Sequence, residues 1–171
     1  MPEDQIDNLE SEYVLPPYAA SLSVLGNNVQ AIEEYMTKSS RLPPSIQKIL
    51  HDFSTAEYIE EKLGPAFGLS AEQKSRLVLI VGSILMAETF IGNIVEEISG
   101  GLGLDQNRAD QISSAIISEL LPPAMEDIKR MHKEKFVNVQ QQPAPRKTFS
   151  NPGANLDINK TNVLDLRNRN Q

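Results

Sequence analysis

The chain contains no cysteine, which excludes disulfide scaffolds, thiolate zinc sites, iron–sulfur clusters and cysteine nucleophiles together. Histidine is nearly as scarce. With only His51 and His132, a hydrolytic triad around Ser83, Ser113, Ser114 or Ser118 has no nearby partner in sequence. There is no long hydrophobic run either. The most apolar stretch, Leu77 to Ala87, ends at Glu88 after 11 residues, well short of the roughly 20 needed to cross a bilayer. It reads as a buried core helix. The N-terminus lacks a basic region followed by an apolar run, so it resembles neither a signal nor a transit peptide, and a cytoplasmic location is expected. Strand signals are also missing, with no alternating run and no Asn-Gly hairpin turn.

What is present supports folding. Leu, Ile, Val and Phe make 47 of the 171 residues, above the level at which a chain fails to bury enough apolar surface to offset its ordering entropy. The length suits one domain with appendages. Charge is unevenly spread. Residues 1–12 hold five acids (Glu3, Asp4, Asp7, Glu10, Glu12) and no base, residues 13–136 hold 11 bases and 16 acids, and residues 137–171 are net +3 within a total of −7. An acidic body repels phosphate backbones, so nucleic acid is not the expected partner.

Leu-Pro-Pro occurs three times, at 15–17, 42–44 and 121–123. Proline suits the first turn of a helix and forces the preceding residue into extended backbone, so each marks an element boundary. Helical spacing follows each one. After the first come Tyr18, Leu22, Leu25, Val29, Ile32 and Met36, spaced as a single narrow apolar seam. After the second come Ile46, Ile49, Leu50 and Phe53. After the third come Met125, Ile128, Met131 and Phe136, with Lys129, Arg130, Lys133 and Lys135 in the last turns, where cations favour a helix C-terminus. Ser54…Glu57 and Ser70…Gln73 fit the capping box, and Asp105 is a third cap. Gly64, Gly68, Gly100, Gly101 and Gly103 stand where helices should stop. In the helix from Ala71, Leu77, Val81 and Leu85, widened by Ile80 and Ile84, predict the centre of the core.

A weak repeat at an offset of 35 residues aligns Gly68-Leu69-Ser70 with Gly103-Leu104-Asp105 and Val81 with Ile116. Its unit is helix, Gly-Leu-cap turn, longer helix, so two duplicated helix-turn-helix units would pack on each other. These features predict an all-α fold: a single compact bundle of five or six helices over 17–136, an acidic segment over 1–16, and a disordered Pro/Gln/Asn-rich tail over 137–171. The span from Leu42 to Met131 opens on Leu-Pro-Pro-Ser-Ile-Gln-Lys-Ile-Leu, contains the Gly-Leu-Ser and Gly-Leu-Asp turns, and closes on an apolar helix before that tail. It resembles small uncharacterised helical-bundle proteins of small-genome, candidate-phyla bacteria. The resemblance implies a fold and no chemistry.

Candidate sites are few, and no catalytic, metal or cofactor signature is present. Gly100-Gly101-Leu102-Gly103 follows a helix rather than a strand and lacks a Walker lysine, so a helix C-cap outweighs a phosphate loop. His51-Asp52, Glu60-Glu61 and Glu96-Glu97 are adjacent pairs pointing about 100° apart on a helix, poorly placed to chelate. Glu88 marks where a helix emerges into solvent. Recognition-helix chemistry is thin, with Lys74 and Arg76 beside Glu72, and Arg108 beside Asp105 and Asp110. Two features suit a protein partner better. The seam of Leu22, Leu25, Val29, Ile32 and Met36 could self-associate or pack on its own domain. In the tail, Val163, Leu164, Leu166 and Arg167 form an apolar island with little else to bury, suited to a docking peptide. The expected function is therefore a non-catalytic, cytoplasmic interaction or adaptor module, not an enzyme, with no cofactor. A nucleic-acid-associated helix-turn-helix protein and a small all-α enzyme without recognisable motifs are the alternatives.

Overall fold

A computed structural model describes residues 13–137. The acidic residues 1–12 and the tail from 138, with Val163, Leu164, Leu166 and Arg167, lie outside the described residues. Among the described residues eight helices follow one another: α1 (Pro17–Leu25), α2 (Val29–Ser40), α3 (Pro44–His51), α4 (Phe53–Glu57), α5 (Ala71–Leu85), α6 (Ile94–Leu102), α7 (Gln106–Ala115) and α8 (Met125–His132). Helix α4 runs on through a π-helical turn (Tyr58–Leu63) into Gly64–Phe67. Another π turn (Ile116–Leu120) extends α7, a third (Lys133–Val137) extends α8, and 3-10 turns precede α6 and α8. No strand occurs among the described residues. The fold is all-α, and its helices are shorter and more numerous than five or six.

Backbone chemistry places the breaks. All three Leu-Pro-Pro tripeptides sit at helix entrances, with Pro17 and Pro44 at the first positions of α1 and α3 and Pro122 opening the 3-10 turn before α8. Ser70 and Gln73 form the reciprocal capping box of α5, and the Asp105 side chain accepts from the Arg108 N–H at the start of α7. The turns Gly68 and Gly103 share a left-handed conformation (φ 59 and 65). Each is followed by a leucine N–H bonded five residues back, Leu69 to Gly64 at 2.9 Å and Leu104 to Ser99 at 3.1 Å. The offset of 35 residues is thus matched in local geometry at both turns.

Four local expectations are corrected. The cap before Ser54 is Asp52, whose carboxylate accepts from the Ser54 N–H, so the Ser54…Glu57 box is not the helix start. Because Asp52 is extended, Phe53 leaves the stripe of Ile46, Ile49 and Leu50 and is 67% exposed. Gly64, Gly100 and Gly101 lie inside helical segments rather than ending them. At Gly64 an added Cβ would stand 2.8 Å from Lys74 Cδ, so a larger residue would have to push the flexible Lys74 side chain aside. Finally, the 18–36 seam is two helices. Gly26, at φ 56 and ψ −126, has the first central geometry of a type II′ turn, and the Asn28 N–H donates to the Leu25 carbonyl at 3.2 Å.

Helix α5 lies at the centre. Leu77, Val78, Val81, Ile84 and Leu85 are buried, with α1, α3 and α6 packed on it. Pro17 and Ser21 of α1 approach Gly82 closely enough that an added Cβ would sit 3.4 Å from Pro17 Cβ. Helix α7 packs on α6, and α8 returns across α3. Ser45 on α3 donates to the Asp127 carboxylate on α8. This return brings the C-terminal ends of α2, α5 and α8 together.

Candidate functional site

The convergence of these three helix ends forms a cleft of about 490 Å³. One wall is the end of α2. Arg41 closes that helix with its N–H on the Lys38 and Ser39 carbonyls. The Gln47 side chain then bonds the Ser40 and Leu42 carbonyls at 3.1 and 2.7 Å, fixing the turn that brings Leu42 to the cleft. Met86 and Ala87 supply the floor, and Met131, Glu134 and Lys135 the far wall. Lys38 and Arg41 belong to no ion pair among the described residues. The cleft therefore combines an apolar lining of Leu42, Met86, Ala87 and Met131 with a rim of three cations against one acid. Methionine floors adapt to varied side chains because the thioether is flexible and polarizable.

A clamp holds the floor in place. Ala87 adopts φ 51, a left-handed conformation costing an ordinary residue about 1–2 kcal/mol. It is 4% exposed, and Lys135 Nζ donates to its carbonyl at 2.6 Å. One helical turn earlier, the His132 imidazole Nε2–H donates to the Ile84 carbonyl at 2.9 Å. Its Nδ1 accepts the Ile91 N–H at 3.0 Å, which bridges the loop between α5 and α6. Both bonds are satisfied by the neutral ring. Burial pushes the His132 pKa below its ordinary value; the Ile84 bond acts against that and the nearby Lys135 charge with it. Phe90 and Phe136 pack on the ring, with centroids 5.9 and 5.4 Å away.

Two other hollows do less. Beside Gly100–Gly103, the Gly101 and Leu102 carbonyls accept from Arg76 and Gln73 at 3.1 and 2.8 Å. The glycine-rich stretch is therefore a capped helix C-terminus, the wrong polarity for a phosphate. The second hollow, of about 320 Å³, includes Lys48, Asp52, Tyr58 and Glu119. Burial and then the Glu119 charge push the Tyr58 phenol up to about 12. The Lys62 ammonium holds Glu119 below the usual carboxylate range. Tyr58 is thus neutral and Glu119 ionised at neutral pH, which stitches two π turns together without a group poised for proton transfer.

The other sequence candidates resolve into structural contacts. Among the described residues no three acids or histidines gather to hold a metal. His51 packs on the Tyr18 ring at 4.1 Å and Glu60 pairs with Lys74. Ser83, Ser113 and Ser118 donate to helix carbonyls, and Glu88 is exposed. Arg76 is held by Glu72 and Arg108 by the Phe67 carbonyl, so neither suspected recognition helix presents free bases at its start. Of the seam, Leu22, Leu25 and Ile32 are half-buried, while Val29 and Met36 are 66% and 49% exposed. They form no single stripe. Lys38, Arg41, Met86, Ala87 and His132 were not legible as one site, although Lys135 was visible in the sequence among the cations closing the last helix.

No helix among the described residues is long and apolar enough to cross a membrane. No family model matches the chain, and no curated protein or solved structure matches it.

Proposed function

We propose that this chain is a non-catalytic interaction module of the cytoplasm whose helical body binds a short acidic peptide in the cleft between α2 and α8. The observation that carries the reading is the pairing of a buried Met86 and Ala87 floor, held by a strained and clamped loop, with Lys38 and Arg41 free of ion pairs among the described residues. An apolar floor selects aliphatic side chains, each worth about 1.5 to 3 kcal/mol when buried, and the cationic rim selects acids around them. Ordering a peptide costs enough to leave an affinity on the order of micromolar. The tail island of Val163, Leu164, Leu166 and Arg167 is a second contact, made to a different partner, so that the chain links two proteins.

Panning a displayed library of random short peptides on the full chain tests the reading. Enriched peptides should combine acids with two or more aliphatic residues, and their binding should fall at least tenfold in Lys38→Glu/Arg41→Glu and in Met131→Asp. Enrichment indifferent to both variants would remove the cleft as the binding site.

A further inference from the structure

The chain itself carries a segment with the chemistry the cleft requires. Residues 3–12 hold Glu3, Asp4, Asp7, Glu10 and Glu12 with no base, and among them Ile6 and Leu9 stand three positions apart, the spacing that sets two side chains on one face of a helical turn. Five acids oppose the cations Lys38, Arg41 and Lys135, and two aliphatic groups match the apolar lining of Leu42, Met86 and Met131. We propose that residues 3–12 occupy this cleft in cis, so that any outside peptide must displace the chain's own acidic strap; the proposal rests on the peptide-binding reading above.

Reach supports it. The described chain begins at Tyr13, which shares a hollow with Val78 and Leu79 of α5. Met86 lies eight residues beyond Val78, about 12 Å along a helix. From Tyr13 back to Ile6 the chain spans up to about 23 Å when extended, more than that rise. The tail is the weaker occupant. Its net charge is +3, and Arg167 and Arg169 flank its apolar island, placing like charges on the rim. Tethering also matters, because a short linker gives an effective concentration in the millimolar range, enough for a micromolar contact to be mostly closed.

Methionine methyl resonances read the cleft directly, since Met86 and Met131 line it while Met36 and Met125 do not. The full chain, carrying ¹³C-methyl methionine, is compared with a full-length head variant (Glu3→Gln, Asp4→Asn, Asp7→Asn, Glu10→Gln, Glu12→Gln, Ile6→Ser, Leu9→Ser). Met86 and Met131 should shift between the two while Met36 and Met125 stay in place. A synthetic peptide of residues 1–12 added to the head variant should return the two signals toward their wild-type positions. That peptide should bind the head variant at least tenfold more tightly than the wild-type chain. If the head substitutions leave Met86 and Met131 unmoved while a library-selected acidic peptide shifts them, the strap is overturned and the cleft reading stands. If neither treatment moves them, both readings fall. Movement of all four methionines would overturn docking in the cleft, and wild-type signals that change with protein concentration would assign the strap to a second copy and overturn the cis contact.

Discussion

His132 is 1% exposed, yet it carries two hydrogen bonds that no aliphatic side chain could replace. Burial disfavours the charged ring, with the Lys135 charge acting the same way and the Ile84 bond against it, and a second proton would also have to displace the Ile91 N–H from Nδ1. The folded pKa is therefore below the ordinary value of 6.5. For a base shifted downward, the unfolded chain binds the extra proton first, so stability is complete above about pH 6.5 and declines as pH falls below it. Glu119 and Asp52 are also shifted down, but as acids they are favoured in their charged form, and their contributions are lost only on acidification below the ordinary carboxylate values of 4.5 and 3.8. The interval from pH 7 to pH 5 therefore isolates the histidine. Urea denaturation should show stability falling across it, and His132→Phe should flatten that slope while costing about 1–3 kcal/mol at pH 7.5 through the orphaned Ile91 N–H, the Ile84 carbonyl keeping the Ala87 N–H. A slope unchanged in the variant would assign the pH dependence elsewhere. None of this was legible beforehand, because one isolated histidine in a sequence does not announce which carbonyl it will meet.

At the scale of helices, most signals set by neighbouring residues were legible, the Ser54…Glu57 box displaced by the Asp52 cap being an exception. The Ser70 box, the Asp105 cap and the three proline entrances are set by neighbouring residues and were read correctly. The 18–36 seam was misread because its spacing continues across Gly26-Asn27-Asn28 as though no turn intervened. Yet Gly26 adopts φ 56 with ψ −126, and the Asn28 side chain caps α2 by accepting the Ala31 N–H at 3.1 Å. The breaker was in plain sight, and hydrophobic periodicity outweighed it in the reading. Gly26→Ala should cost about 1–2 kcal/mol in thermal or urea unfolding although an added Cβ would meet nothing within 4 Å, since the penalty is conformational rather than steric against a neighbour. The core helix was the easiest element to find, because Leu77, Val81 and Leu85 repeat on one face and all are buried. Val81→Asp buries an unpaired charge between α5 and its neighbours and should abolish the cooperative unfolding transition. Unchanged thermal stability would contradict the burial of Val81.

For the molecule as a whole, a cationic rim on a net acidic body poses a choice between two kinds of anionic partner. Residues 13–136 carry 11 bases and 16 acids, and among the described bases Lys62, Lys74, Arg76, Lys129 and Arg130 are already paired. A polyanion held only by the three rim cations would release about two to three counterions, so its affinity should drop roughly 20- to 40-fold between 50 and 200 mM salt. A peptide seated on the methionine floor is held partly by apolar burial, which salt does not screen. The two cases separate at Met131, which touches the floor and carries no charge. Met131→Ser should weaken an acidic amphipathic peptide by about tenfold, the loss of roughly 1.4 kcal/mol of apolar contact. The same change should leave any residual binding of a 12-nucleotide single strand as it was. Fluorescence anisotropy of both probes, on the full chain and at two salt concentrations, measures all four quantities. Strand binding that resists 200 mM salt, or peptide binding indifferent to Met131, would transfer the role of the cleft from peptides to nucleic acid.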